Sequence, residues 1–185
     1  EEISIWGPKV TFNGESVDVT FEDFAKRYID ERSPVVAHHK QKSWEVLIAR
    51  SFEGFQHMSY VNGIATTDGG SHVNHVITSL LKNKKDALKP YQYKQHLHVF
   101  VKVLIDKPTF TSQTKTECTS KNLEQLEFKP KFLKDVDSLG IDEIVSEHKL
   151  KKSDGVKRSK LYGIPKLDDA NWAGTPKSEV CTLIL

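Results

Sequence analysis

Polar and apolar positions alternate over most of the first sixty residues. "VTFNGESVDV" holds two short alternating runs around Asn13-Gly14, a dipeptide whose easy positive φ suits a tight turn, and it predicts a β-hairpin. Thr20 and Asp23 then form a helix-start signal, and Phe21, Phe24, Ala25, Tyr28 and Ile29 recur at helical spacing. Pro34 closes that helix. "VVAHH", "SWEVLIARS" and "FQHMSYVNGI" return to strand composition and predict three further strands, with Trp44, Val46 and Ile48 on one side of a sheet.

The period changes in "YVNGIATTDGGSHVNHVITSLLKNKK". Val73, Val76, Ile77, Leu80 and Leu81 make one apolar stripe, the mark of a helix that needs a sheet to cover. The turn before it, Asp68-Gly69-Gly70, reads either as a phosphate-binding turn at a helix amino terminus or as a tight backbone turn. Neither a G-x-G-x-x-G nor a P-loop signature accompanies it, which favours the second reading. "HLHVFVKVLID" is the next dense strand, and it empties into "PTFTSQTK", a polar loop tipped by Gln113 and Lys115. Such a loop is either a solvated connection or a means of holding a cation at a fixed point.

Beyond Lys115 little periodicity remains until Phe132, Leu133, Val136 and Leu139, a helix closed by Gly140, and then Ile141, Ile144 and Val145, a second one. "HKLKKSDGVKRSK" is a basic run and "LYGIPKLDDANWAG" is rich in turn residues. The last residues, "VCTLIL", read as an apolar strand, which suggests a piece of a longer chain.

Composition narrows the picture. The 185 residues suffice for one large domain, and 27 basic against 25 acidic residues leave a net charge of only +2, so any basic surface is local. Cys118 and Cys181 lie far apart with no C-x-x-C, which argues against a disulfide framework or a cysteine zinc site and fits a reducing compartment. No apolar run is long enough for a bilayer and the amino terminus lacks a signal-peptide pattern, so a soluble intracellular protein is expected. His72 and His75 sit one helical turn apart, and His96 and His98 share a strand face. No carboxylate or cysteine falls at ligand spacing with both pairs and H-E-x-x-H is absent, so no metal site is expected. His38 and His39 read as strand-surface residues, and Trp6, Trp44 and Phe110 as core.

In this order, "MSYVNGIATTDGGSHVNHV", "HLHVFVKVLIDKPTFTSQTK", "LKKSD" and "IPKLDDANWAG" followed by "CTLIL" closely resemble eukaryotic-type DNA topoisomerase II, the ATP-dependent type IIA enzymes, over nearly the whole chain. The resemblance implies an α+β transducer fold, ribosomal-protein-like: a mixed β-sheet with helices on one face, preceded by the β-hairpin. It also implies a left-handed βαβ crossover, against the general rule of handedness. Residues 1–150 would be the transducer domain of the ATPase region, 151–178 a linker and 179–185 the first strand of a TOPRIM domain. The segment from Lys115 to Leu150 is several residues shorter than the family's pattern. The GHKL nucleotide-binding domain, the acidic TOPRIM motif and the DNA-cleaving tyrosine are not in this sequence, so the chain by itself would be inactive.

Function is implied in the same way. The family's QTK loop reaches into the ATP pocket of the neighbouring GHKL domain, where Lys115 would act catalytically on the γ-phosphate and Gln113, Thr114 and Lys115 would contact the nucleotide. ATP with Mg2+ is the implied cofactor, with most of its pocket on the GHKL domain and the TOPRIM Mg2+ outside this chain. Lys82, Lys84 and Lys85 would line the cavity that passes double-stranded DNA; their ordinary reading is a cationic helix end that complements the macrodipole. The implied partners are duplex DNA, the GHKL domain and a second copy in a homodimer, in the nucleus and away from membranes. The alternative is a non-enzymatic nucleic-acid-binding α+β domain, a class such folds also host. That alternative has no use for "QTK" at a strand end and calls for a denser basic surface.

Overall fold

The computed structural model describes residues 2–33, 36–82, 84 and 90–146. After a single 3-10 turn at Ser4–Trp6, strands β1 (Val10–Phe12) and β2 (Glu15–Val17) form the expected antiparallel hairpin, its corner made by Asn13 (φ 51°) and Gly14 (φ 85°). Helix α1 (Phe21–Lys26) starts where the Thr20 hydroxyl accepts the Asp23 N–H at 3.1 Å, which satisfies one of the donors a helix start leaves unpaired. Then follow β3 (Ala37–Gln41), β4 (Trp44–Arg50), β5 (Gln56–Val61), β6 (Ile64–Ala65), β7 (Gly69–Gly70), α2 (Ser71–Lys82), α3 (Pro90–Lys94), β8 (Leu97–Val103), β9 (Glu117–Cys118) and α4 (Pro130–Asp137). Residues 141–146 form a last helix, α5.

The main sheet has the order β3-β4-β8-β5-β6. β3, β4 and β8 are antiparallel neighbours, whereas β5 and β8 run parallel, Gln56 beside His98 through Val61 beside Val103. The parallel pair forces a crossover, and that crossover carries α2 and α3. The class is the α+β one expected, with a mixed sheet.

Side-chain alternation assigns the two faces. Trp44, Val46 and Ile48 of β4 and Val99, Val101 and Val103 of β8 face Val73, Val76, Ile77 and Leu80 of α2, together with Phe132, Val136, Ile141 and Val145 from α4 and α5. On the opposite face Leu47, Tyr60 and Phe100 pack against Ile5 and against Phe21, Phe24 and Ala25 of α1. The larger helices thus share one face, as expected, and the short α1 covers part of the other. Because β4 and β8 are covered on both sides, they read as nearly continuous apolar runs.

The second face also buries a carboxylate. Glu45 is 7% exposed, and its Oε2 lies 2.8 Å from the Lys102 ammonium while its Oε1 lies 3.2 Å from His38 Nε2. Burial pushes this carboxyl upward, yet the hydrogen bonds from His38 and Lys102 prevail and hold it at about 2. Lys102 also donates to the Ile5 carbonyl at 2.7 Å and stands 5.3 Å and 5.4 Å from the Trp6 and Phe21 ring centroids. One lysine therefore ties the amino-terminal turn, α1 and the sheet together.

Several expectations change. His39 is no surface residue: it is 3% exposed, with the Phe128 and Phe132 rings 5.2 Å and 5.4 Å away. The strand read through "FQHMSYVNGI" ends at Val61, where Asn62 (φ 50°) and Gly63 (φ 82°) turn the chain back into β6. The linker expected over 151–178 and the strand expected over 179–185 lie outside the described residues.

Candidate functional site

Strand β8 ends in a side-chain clamp. The Asn62 side chain donates to the Ile105 carbonyl and accepts the Ile105 N–H, both at 2.8 Å, so the chain leaves the sheet at a fixed point. The loop that follows is drawn back on itself: Phe110 bridges Cys118, the Thr111 N–H reaches the Glu117 carbonyl at 3.1 Å and the Thr119 N–H reaches the Thr109 carbonyl at 2.8 Å. The tip is a turn in which the Lys115 N–H donates to the Ser112 carbonyl at 3.1 Å and Lys115 adopts φ 59°. The Ser112 and Thr114 hydroxyls lie 2.6 Å apart.

The predicted nucleotide contacts Gln113, Thr114 and Lys115 are thus brought together on one turn, all three exposed. The Lys115 ammonium stands 5.9 Å from the Phe110 ring centroid, and no salt bridge engages it among the described residues. A cation, a primary amide and two hydroxyls projecting from a braced turn suit an oxygen-rich anion.

The bracing comes from the glycine turn. β7 pairs in parallel with β9, Gly69 beside Glu117 and Gly70 beside Cys118, and the Asp68 N–H donates to the Thr116 carbonyl at 2.9 Å. The Gly69 N–H is spent on Thr66 O at 3.0 Å. Asp68-Gly69-Gly70 is therefore a backbone turn that docks the returning arm of the loop onto the start of α2. Sequence reasoning found the turn but not its partner; the two consecutive glycines were the only signal of a close backbone approach.

Behind the turn lies a buried polar network. Ser59 Oγ and Thr66 Oγ1 are 2.7 Å apart, and His72 Nε2 is 3.1 Å from Thr66 Oγ1. Burial pushes the His72 imidazole down to about 4, with His57 adding to the shift, and does the same to His98. Both are held neutral, and His72 ties α2 to Thr66, just beyond β6, as a structural group.

At the other end of α2 the three predicted DNA contacts part company. Lys82 is exposed at the last turn. Lys84 does not project as expected: its side chain is 12% exposed and its ammonium binds Asp137 of α4 at 2.5 Å and Asp142 of α5, 5.4 Å from the Tyr93 ring centroid. Burial opposes the charge, but the two aspartates hold it above the usual lysine range. Lys85 lies outside the described residues.

A family model described as DNA gyrase B matches residues 15–136. The chain belongs to the DNA gyrase B family. Within that family it is similar to DNA topoisomerase 2 of Bombyx mori, 41% identical over 207 residues that take in 97% of this chain and 13% of the relative. It is also 39% identical to DNA topoisomerase 2 top-2 of Caenorhabditis elegans, over 97% of this chain and 14% of that protein. This member of the gyrase B family thus spans about an eighth of the length of its curated relatives. Among solved structures it is similar to the ATPase region of Saccharomyces cerevisiae topoisomerase II, with a TM-score of 0.67 and 30% identity over 75% of this chain and 39% of that one. The same region bound to ICRF-187 gives a TM-score of 0.68 and 27% identity over 80% and 43%.

Proposed function

We propose that residues 1–150 are the transducer domain of an ATP-dependent type II DNA topoisomerase, coupling ATP binding and hydrolysis in a neighbouring GHKL domain to the passage of one DNA duplex through another. The observation that carries this reading is the Lys115 turn: a lysine without an ion pair among the described residues, on a tip braced by both β8 and α2. Lys115 would place its charge on the γ-phosphate and Gln113 and Thr114 would add hydrogen bonds. A primary ammonium on a flexible stem suits a phosphoryl group because it needs no fixed planar geometry. Loss of that partner frees the tip, so two relative positions of the domains differ in contact energy.

Among the described residues no group of three His, Cys, Asp or Glu gathers to hold a metal. The Mg2+ that accompanies ATP in this reading would be held elsewhere. Of Lys82, Lys84 and Lys85, Lys82 is the described one left to meet duplex phosphates. The reading carries with it a homodimeric, nuclear protein.

Lys115→Ala in the intact protein tests the reading. ATP hydrolysis should fall by about a hundredfold or more, roughly 3 kcal/mol of lost transition-state stabilisation. Gln113→Ala should cost less, since it removes a neutral hydrogen bond. A steady-state rate for Lys115→Ala close to that of the unmodified protein would overturn the proposal. In calorimetry the 185-residue chain alone should give no saturable ATP binding, because one lysine cannot offset the cost of immobilising the ligand.

A further inference from the structure

The Lys115 loop has an outgoing and a returning arm, and one short stretch of chain holds both. Residues 62–70 follow β5, turn back through β6 and end in β7. At the start of this stretch Asn62 engages the outgoing arm at Ile105. At its end Asp68, Gly69 and Gly70 engage the returning arm at Thr116, Glu117 and Cys118. Between these points the arms are joined to each other, where the Thr109 N–H donates to Ser120 Oγ at 2.9 Å and the Thr109 carbonyl accepts from Thr119. The stretch is in turn pinned to β5: the Thr66 N–H and hydroxyl both donate to the Ser59 carbonyl, at 2.8 Å and 2.9 Å.

The Asn62 end is built to continue a ladder after the strand has left it. β5 and β8 run parallel as far as Val61 beside Val103, and the Asn62 N–H still donates to the Val103 carbonyl at 3.0 Å. The chain after β5 then turns away through Asn62 at φ 50° and Gly63 at φ 82°, while the other chain runs on to Ile105. The Asn62 side chain stands in for the missing peptide group, giving Ile105 one donor and one acceptor, each at 2.8 Å. A carboxylate of the same shape would accept the Ile105 N–H but would set a second lone pair against the Ile105 carbonyl. Asparagine also tolerates the positive φ of this corner better than most residues.

We propose that Asn62 is a positioning residue for Lys115: it fixes where the outgoing arm leaves the sheet, and through that the place at which the Lys115 ammonium meets the transferring phosphoryl group. The inference rests on the function proposed above. Asn62 is exposed, so water can take over at Ile105 when the amide is removed, and losing the clamp costs direction more than stability. A misplacement of about 1 Å can slow a reaction by about a hundredfold; with the glycine turn still holding the returning arm, about tenfold is expected here.

The test uses Asn62→Gly in the intact protein, because glycine accepts this backbone without strain. Steady-state ATP hydrolysis should fall by about tenfold, while the urea midpoint moves little. In the Lys115→Ala background the same change should slow hydrolysis by less than about twofold, since two residues that act as one unit do not add. A residue that mattered only for the fold would cost the same factor in both backgrounds, and that result overturns the inference. So does hydrolysis by Asn62→Gly at the unmodified rate. Hydrogen exchange supplies a readout that needs no ATP: the Thr111 and Lys115 amides should exchange about tenfold faster in Asn62→Gly, and unchanged exchange also overturns the inference. If Asn62→Gly does not fold, Asn62→Asp, which keeps the shape and loses the donor, takes its place with a loss of about threefold. If Lys115→Ala leaves hydrolysis unaltered, the proposed function fails, and the exchange rates still decide whether Asn62 holds the loop.

Discussion

The backbone of Cys118 crosses Gly70 so closely that a β-carbon built on Gly70 would lie 2.1 Å from the Cys118 carbonyl oxygen and 2.7 Å from its nitrogen. Both obstacles are main chain, so no rotamer change relieves them. Gly70 also adopts φ +127°, a conformation that L side chains rarely take. Gly70→Ala should therefore separate β7 from β9, cost about 2–4 kcal/mol of stability and loosen the Lys115 turn. Gly14→Ala is the control: φ is +85° but nothing lies within 4 Å, so about 1–2 kcal/mol is expected. Equal shifts of the urea midpoint in the two variants would mean that the close approach has no energetic weight.

Lys82 and Lys84 should separate cleanly. Lys84→Ala leaves Asp137 and Asp142 facing each other near Tyr93, but both aspartates are partly exposed, so a loss of about 1–3 kcal/mol in denaturant unfolding is expected, below the figure for a fully buried pair. The slope of its log K for duplex DNA against log salt should stay unchanged. Lys82→Ala should show the reverse, near-native stability and a slope shallower by about 1 unit.

Acid should weaken the fold before it protonates the carboxylates. His72 and His98 are held neutral at about 4, below an ordinary value of 6.5. Their contribution is fully present above 6.5, where neither state binds the proton. As pH falls from 6.5 to 4 the unfolded chain takes up protons that the folded one refuses, and stability declines by up to about 3 kcal/mol per histidine. Urea midpoints measured across that window should fall steadily, and His72→Gln should flatten the slope. A flat profile between these limits in the unmodified chain would refute the assignment of neutral buried histidines.

Lys102→Met should release the amino-terminal turn. The change leaves Glu45 with His38 and the more distant Lys40 and leaves the Ile5 carbonyl without its donor, at a cost of about 1–3 kcal/mol. Limited proteolysis should then cut near residues 3–7 well before the sheet unfolds. Cleavage there at the unmodified rate would show that Lys102 is not the tether.

The stripe of α2 was readable because five apolar residues at helical spacing leave only one solution once a sheet is available to cover them. Asn13-Gly14 announced its hairpin, but the same dipeptide at Asn62-Gly63 was hidden, because Ile64 and Ala65 continue an apolar run through the corner. β7 and β9 are two residues each, too short for any period, and they meet only because the loop doubles back. Lys84 looked free for the same reason: its aspartates lie 53 and 58 positions away in the chain. The Lys115 turn could be picked out by its resemblance to a family, whereas the glycine clamp that braces it could not.

Helix α2 has twelve residues, about 18 Å at 1.5 Å per residue, and its two ends are fastened to different things. Its first residue follows the glycines clamped to the Lys115 loop, and its last lies two positions from the lysine that grips Asp137 and Asp142. A hydrogen-bonded helix packed along a sheet is one stiff element, so α2 sets the spacing between the glycine clamp and the α4–α5 corner as a strut sets the gap between two walls.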